Sequence, residues 1–86
     1  MGGNLMKARV FVSLKKTVLD PQGQTIRSAL ASRGYQSIAG VRQGKIFEID
    51  LSAETDRASA HKDLEEIARE VLANPVIEDY RVELLD

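Results

Sequence analysis

The chain contains no cysteine and no tryptophan. The missing cysteines remove disulfide bridges, thiolate metal ligands and thiol nucleophiles together. A single histidine, His61, leaves no second imidazole with which to build a metal site. No apolar run approaches the roughly 18–20 residues of a membrane span, and no basic-then-apolar segment opens the chain. The expectation is a soluble, cytoplasmic protein without a membrane partner. Charge of neither sign dominates: 12 Lys and Arg stand against 13 Asp and Glu, a net charge of −1. A surface that binds a phosphate backbone normally carries a basic excess, so nucleic acid is not expected as a partner.

What is present fits one small domain. A chain of 86 residues buries only about 60% of the surface its unfolded form exposes, so its stability comes from one core or from association. Residues 1–5 read as a leader or expression remnant before a second methionine, Met6, and residues 6–86 as the domain.

The first strand is the clearest signal. Ala8, Val10, Val12 and Leu14 alternate with Arg9, Phe11, Ser13 and Lys15, the period of two of a half-buried strand. Asp20-Pro21 then opens a helix, because Asp accepts orphan amide hydrogens and proline has none to lose at the first position. That helix is expected over 22–33, with Ile26, Ala29 and Leu30 on its apolar side and Gly34 as its stop. Residues 35–41 and 45–51 read as two strands joined at Arg42-Gln43-Gly44, a hairpin pattern. Ala60, Leu64, Ile67, Ala68, Val71 and Leu72 recur at helical spacing, and Pro75 stops that helix near Ala73-Asn74. A final strand over 77–85 places Tyr80, Val82 and Leu84 inward.

The order β-α-β-β-α-β packs most simply as a two-layer α+β sandwich, a four-stranded antiparallel sheet with both helices on one face. The sheet's other face would then carry Arg9, Phe11, Ser13, Ile46, Glu48, Asp50, Arg81, Glu83 and Leu85. Phe11, Ile46 and Leu85 make apolar spots on that charged surface.

No catalytic constellation emerges. His61 falls off the apolar stripe of its helix and reads as a solvated side chain. The adjacent pairs Glu65-Glu66 and Glu78-Asp79 point apart and so do not face one cleft as acid and base. Ser13 has no histidine or lysine at motif spacing, and Gly40-Val41-Arg42-Gln43-Gly44 is too short for a phosphate loop. Phe11 and Phe47 invite comparison with an RNA-stacking sheet, but Phe47 shares its face with Ile49 and Leu51 and belongs to the core. Lys15, Lys16, Arg42 and Lys45 make small basic spots suited to an acidic protein surface. Two other modules of this element order stay open on the residues alone: an ACT-like amino-acid-binding regulator and an acylphosphatase-like enzyme. The latter needs a basic phosphate cradle where Thr17-Val18-Leu19-Asp20-Pro21 offers an acid.

Three stretches together carry a resemblance. Val12-Ser13-Leu14-Lys15 with Val18-Leu19-Asp20-Pro21-Gln22-Gly23, then Val41-Arg42-Gln43-Gly44-Lys45, then Leu72-Ala73-Asn74-Pro75-Val76-Ile77-Glu78-Asp79-Tyr80 resemble the PurS family, from Met6 to the end. PurS is the small subunit of phosphoribosylformylglycinamidine (FGAM) synthase in purine biosynthesis. The resemblance implies a ferredoxin-like, PurS-like fold and a non-catalytic role in a ligase complex. In that complex the glutaminase subunit (PurQ) releases ammonia and the synthetase subunit (PurL) uses ATP and magnesium to convert formylglycinamide ribonucleotide to the amidine. The small subunit is implied to hold no cofactor itself, to form a dimer or tetramer, and to bridge the other two. Phe11 on the outer sheet face is the candidate for self-association. Arg42, Gly44 and Lys45 in the expected hairpin, with Asn74 and Pro75 at the corner before the last strand, are the candidates for the larger subunits.

Overall fold

A computed structural model of the chain describes residues 5–85. Most of the expected leader, residues 1–4, lies outside them, and Leu5 is exposed. Three strands, β1 (Met6–Leu14), β2 (Gly44–Leu51) and β3 (Glu78–Leu85), form one antiparallel sheet in the order β2-β1-β3. Two helices, α1 (Pro21–Ser32) and α2 (Arg57–Ile67), complete it, and α2 runs on through a single π turn, Ala68–Leu72. The α+β class and the two helices are as expected. The fourth strand is not.

β1 is the spine. Val10 lies opposite Phe47 on β2 and Val82 on β3, and Ala8 lies opposite Ile49 and Leu84. Ala8, Val10 and Val12 are sealed from solvent. Their face meets Ala60, Leu64 and Ala68 of the second helical segment, all inaccessible as well. Those three recur at intervals of four, one stripe of a helix. The sequence reading drew that stripe too wide. Val71 turns to solvent, because the Ala73 amide bonds back five residues to the Ala68 carbonyl at 2.9 Å and the extra residue rotates the last turn, while Ile67, before that turn, is 37% exposed. The turn delivers Leu72 and Ala73 to the core instead.

The four-stranded expectation fails at residues 35–43. None of them is a strand, and α1 does not lie on the sheet. Its only buried residue is Gly23, in its first turn. A nine-residue strand spans about 30 Å and a twelve-residue helix about 18 Å, so the 51 Å long axis holds sheet and α1 end to end. The radius of gyration, 17.0 Å, exceeds the roughly 12 Å of a compact chain this long. α1 and the segment returning from it form an arm. The expected hairpin is absent: residues 35–41 form no strand, Arg42-Gln43 is not a turn, and Gly44 opens β2.

Candidate partner-binding surfaces

The root of the arm is built from Asp20 and Arg42. Asp20 caps α1: one carboxylate oxygen accepts from the Gly23 amide at 2.9 Å and its main-chain carbonyl accepts the first helical bond from Gln24 at 3.0 Å. The other carboxylate oxygen accepts from the Gln43 amide at 2.8 Å, tying the returning segment to the helix. Asp20 is the one buried charged residue among the described residues, at 5% exposure. The Gln43 amide, then the Gly23 amide, hold its carboxyl below the ordinary 3.8 against the opposing effect of burial, with the Arg42 guanidinium helping. Gly23 is required by proximity: a Cβ there would stand 2.1 Å from the Val41 carbonyl oxygen. Arg42 gathers the turn after β1, donating from one terminal nitrogen to the carbonyls of Lys15 at 2.7 Å, Val18 at 3.1 Å and Leu14 at 3.3 Å. A cleft of about 450 Å³ opens beside this root between Leu14, Pro21, Gly44 and Glu78.

At the arm's tip α1 ends as the sequence requires. Gly34 adopts φ +98° and the amides of Gly34 and Tyr35 return to the carbonyls of Ala31 and Leu30 at 3.0 Å each. Ile26, Tyr35 and Ile38 are exposed along the arm, as is Leu19 before its root.

The outer sheet face carries the expected residues. Lys7 pairs with Asp50 at 3.0 Å, Arg9 with Glu48 at 3.5 Å and Arg81 with Glu83 at 3.6 Å. Exposed pairs of this kind are each worth about 0–1 kcal/mol, so they set the charge pattern more than the stability. Phe11 is half-buried beneath the Arg81 guanidinium, 4.1 Å from the ring centre, and opposite Ile46, which is 57% exposed. This row is the apolar spot on an otherwise ion-paired surface.

The corner before β3 is a compact turn. The Asn74 side chain accepts from the Val76 amide at 3.1 Å, its carbonyl accepts from Ile77 and Glu78, and its own amide donates to the Glu78 carboxylate at 2.7 Å. Pro75 and Val76 are left exposed at its apex. Of the residues singled out from sequence, Arg42 and Gly44 thus meet at the arm's root, with Gly44 close against the Val12 carbonyl. Lys45 is exposed on β2, 5.8 Å from the Phe47 ring, while Phe11 and the Asn74-Pro75 corner lie on separate surfaces. Asp20 as a clamp on both limbs was missed, since its capping signal gave no hint of the second partner at Gln43.

Among the described residues, the titratable groups singled out from the sequence lie apart from one another, save for His61 and Glu65. His61 is exposed, 3.8 Å from Glu65 one helical turn on. Ser13 sits on the outer face and His61 on the helix covering the inner one. Among the described residues no three potential ligands cluster to hold a metal ion, and no helix is long and apolar enough to cross a membrane. What the fold presents is contact surface: an arm, an ion-paired sheet face and an apolar-tipped corner, the equipment of a small interaction module.

Its relatives give that module a place. The family model described as PurS, phosphoribosylformylglycinamidine (FGAM) synthase, matches residues 7–86. The chain belongs to the PurS family. It is 42% identical over 84 residues to the Bacillus subtilis phosphoribosylformylglycinamidine synthase subunit PurS, covering 93% of each chain. The solved PurS of Methanocaldococcus jannaschii, described as one of the subunits of formylglycinamide ribonucleotide amidotransferase, superposes with a TM-score of 0.79 at 37% identity, over 94% of this chain and 96% of that one. A chain in the structure of PurLQS from Thermotoga maritima superposes with a TM-score of 0.83 at 30% identity, over 96% of this chain and all of that one.

Proposed function

We propose that this chain is the small, non-catalytic subunit of FGAM synthase in purine biosynthesis, bridging the synthetase (PurL) and glutaminase (PurQ) subunits so that ammonia passes between them. The match along nearly its whole length to a chain of the PurLQS structure is the observation that carries the reading. In it the chain supplies surfaces and no reacting group. ATP and magnesium are used on the synthetase, and the chain itself holds neither.

The subunit self-associates in this proposal, as its half-covered sheet and protruding arm favour. The Phe11-Ile46 row, Lys45 and the Asn74-Pro75 corner are proposed contacts within the assembly, and Arg42 and Gly44 lie at the root of the arm. Copurification with synthetase and glutaminase subunits, in the presence of glutamine, ATP and ADP, tests the reading. A stable three-component complex is expected. Failure of the chain to bind either subunit under those conditions would refute it.

A further inference from the structure

The cleft at the arm's root carries two opposite charges that the fold leaves open. Val12 lies opposite Lys45 on β2, and Leu14 lies opposite Glu78 on β3. Cross-strand partners share a face of the sheet, so both charged side chains stand on the inner face, with Val12 and Leu14 between them. All four line the cleft. Lys45 makes no ion pair among the described residues, its ammonium resting 5.8 Å from the Phe47 ring. Glu78 offers one carboxylate oxygen to the Asn74 amide at 2.7 Å, and its other oxygen has no partner among the described residues.

The sheet sets the distance between these charges. Two strand spacings of about 4.8 Å across, and two residues of about 3.4 Å along, place the Lys45 and Glu78 Cα atoms roughly 12 Å apart. A zwitterion held between the two side chains needs their tips about 8–9 Å apart: two charge-assisted hydrogen bonds of about 2.8 Å, and roughly 3 Å across the ligand itself. Side chains that lean toward each other over the short Val12 and Leu14 reach that separation. A plain anion would meet Glu78 as a like charge, and a plain cation would meet Lys45. A zwitterion satisfies both.

The rest of the cleft fits the rest of such a molecule. Val12, Leu14 and Pro21 present apolar surface to methylene groups, and Gln22 and Gln43 bring carboxamides, each with donors and an acceptor, that complement another carboxamide. The volume, about 450 Å³, lies in the range of small-molecule sites, which are mostly apolar with a few polar groups that fix orientation. Asp20 and Arg42 hold the walls beforehand, because they tie Gln43 to the first turn of α1 and the chain beside it to the end of β1. A wall already ordered lowers the cost of binding.

We propose that this cleft binds a free α-amino acid with a carboxamide side chain, Lys45 taking its carboxylate and Glu78 its ammonium group. The site holds its ligand without reacting with it, and it stands whether or not the assembly proposed above forms.

Calorimetry of the unmodified chain with L-glutamine as the probe tests the site. A dissociation constant of about 1 mM or tighter is expected. N-acetyl-L-glutamine, which lacks the ammonium group, should bind about 10-fold or more weakly, since it leaves a charged acceptor unpaired. Lys45→Ala and Glu78→Gln should each weaken L-glutamine binding by about the same factor. Glu78→Gln keeps an acceptor for the Asn74 amide, so the corner before β3 is preserved in that variant. Amide chemical shifts recorded during the titration should move at residues 12–14, 43–45 and 78. Absence of heat and of shift changes at about 10 mM L-glutamine overturns the proposal, as do shifts centred elsewhere on the chain. Unchanged affinity in Lys45→Ala, or for N-acetyl-L-glutamine, overturns the zwitterion clamp. Equal affinity for L-glutamate overturns the carboxamide class.

Discussion

Gly23→Ala separates this structure from an ordinary helix most sharply. In an exposed helix interior the change stabilises by about 1 kcal/mol, because glycine leaves more backbone freedom to lose on folding. Here the added methyl would stand 2.1 Å from the Val41 carbonyl and 2.9 Å from an Asp20 carboxylate oxygen. The first distance is about 1.3 Å short of the 3.4 Å at which ordinary contact begins, and its partner is backbone rather than a flexible side-chain tip. Relief requires the returning limb to move off the helix, stretching the Gln43 bond to Asp20. Overpacking of this kind costs about 1–3 kcal/mol, so the gain is cancelled or outweighed and the variant loses about 0–2 kcal/mol net. Urea titration and thermal melting at one fixed protein concentration measure it, with about 4–8 °C lost per kcal/mol. Amide exchange should quicken first along α1 and residues 36–43. A variant more stable than the parent, with unchanged exchange in the arm, would refute the close approach of helix and returning limb.

Further outcomes follow from the same geometry. Leu64→Ala, at a side chain with no solvent exposure, should cost about 2–5 kcal/mol by denaturant titration, while Ile67→Ala, at a partly exposed site of the same helix, stays within about 1 kcal/mol. The Asp20 carboxyl is held below 3.8, so its contribution is complete above that value and is lost as pH falls through its lower folded-state value. The pH profile of stability should therefore show an acid limb below about pH 4 that Asp20→Asn flattens, since one amide oxygen replaces two carboxylate acceptors and its nitrogen faces a donor. Phe11→Asp should leave the fold intact and weaken assembly, read by oligomer mass and by capture of the larger subunits; normal assembly would remove the outer sheet face from the proposed contacts.

The parts of the fold visible in the sequence are those decided by neighbours along the chain. Alternation placed every side chain of β1 on its correct face, and Asp20-Pro21 and Gly34 bracketed α1 to within a residue. The i, i+4 series Ala60, Leu64, Ala68 marked the covering helix, though nothing local announced the π turn that exposes Val71. The miss at residues 35–43 has a physical origin. A β-like run flanked by Arg42-Gln43-Gly44 carries the same pattern whether it doubles back on its own strand or runs straight on, and the choice rests on contacts at the arm's root. Arg42 illustrates this: as a basic residue in an expected turn it read as a surface for partners, whereas its guanidinium binds three carbonyls of its own chain. Family membership was carried by motif order, a signal independent of how the arm is directed.

The central claim is that this chain is required for glutamine-dependent amidine formation while contributing no reacting group. Reconstitution measures it directly: FGAM formation by synthetase and glutaminase subunits with ATP and magnesium, with and without this chain, using glutamine or free ammonia as nitrogen donor. The account predicts that the glutamine-dependent reaction needs the chain, that the ammonia-dependent reaction proceeds on the synthetase without it, and that His61→Ala supports full activity. Equal glutamine-dependent rates with and without the chain, or loss of activity in His61→Ala with the complex still assembled, would contradict it.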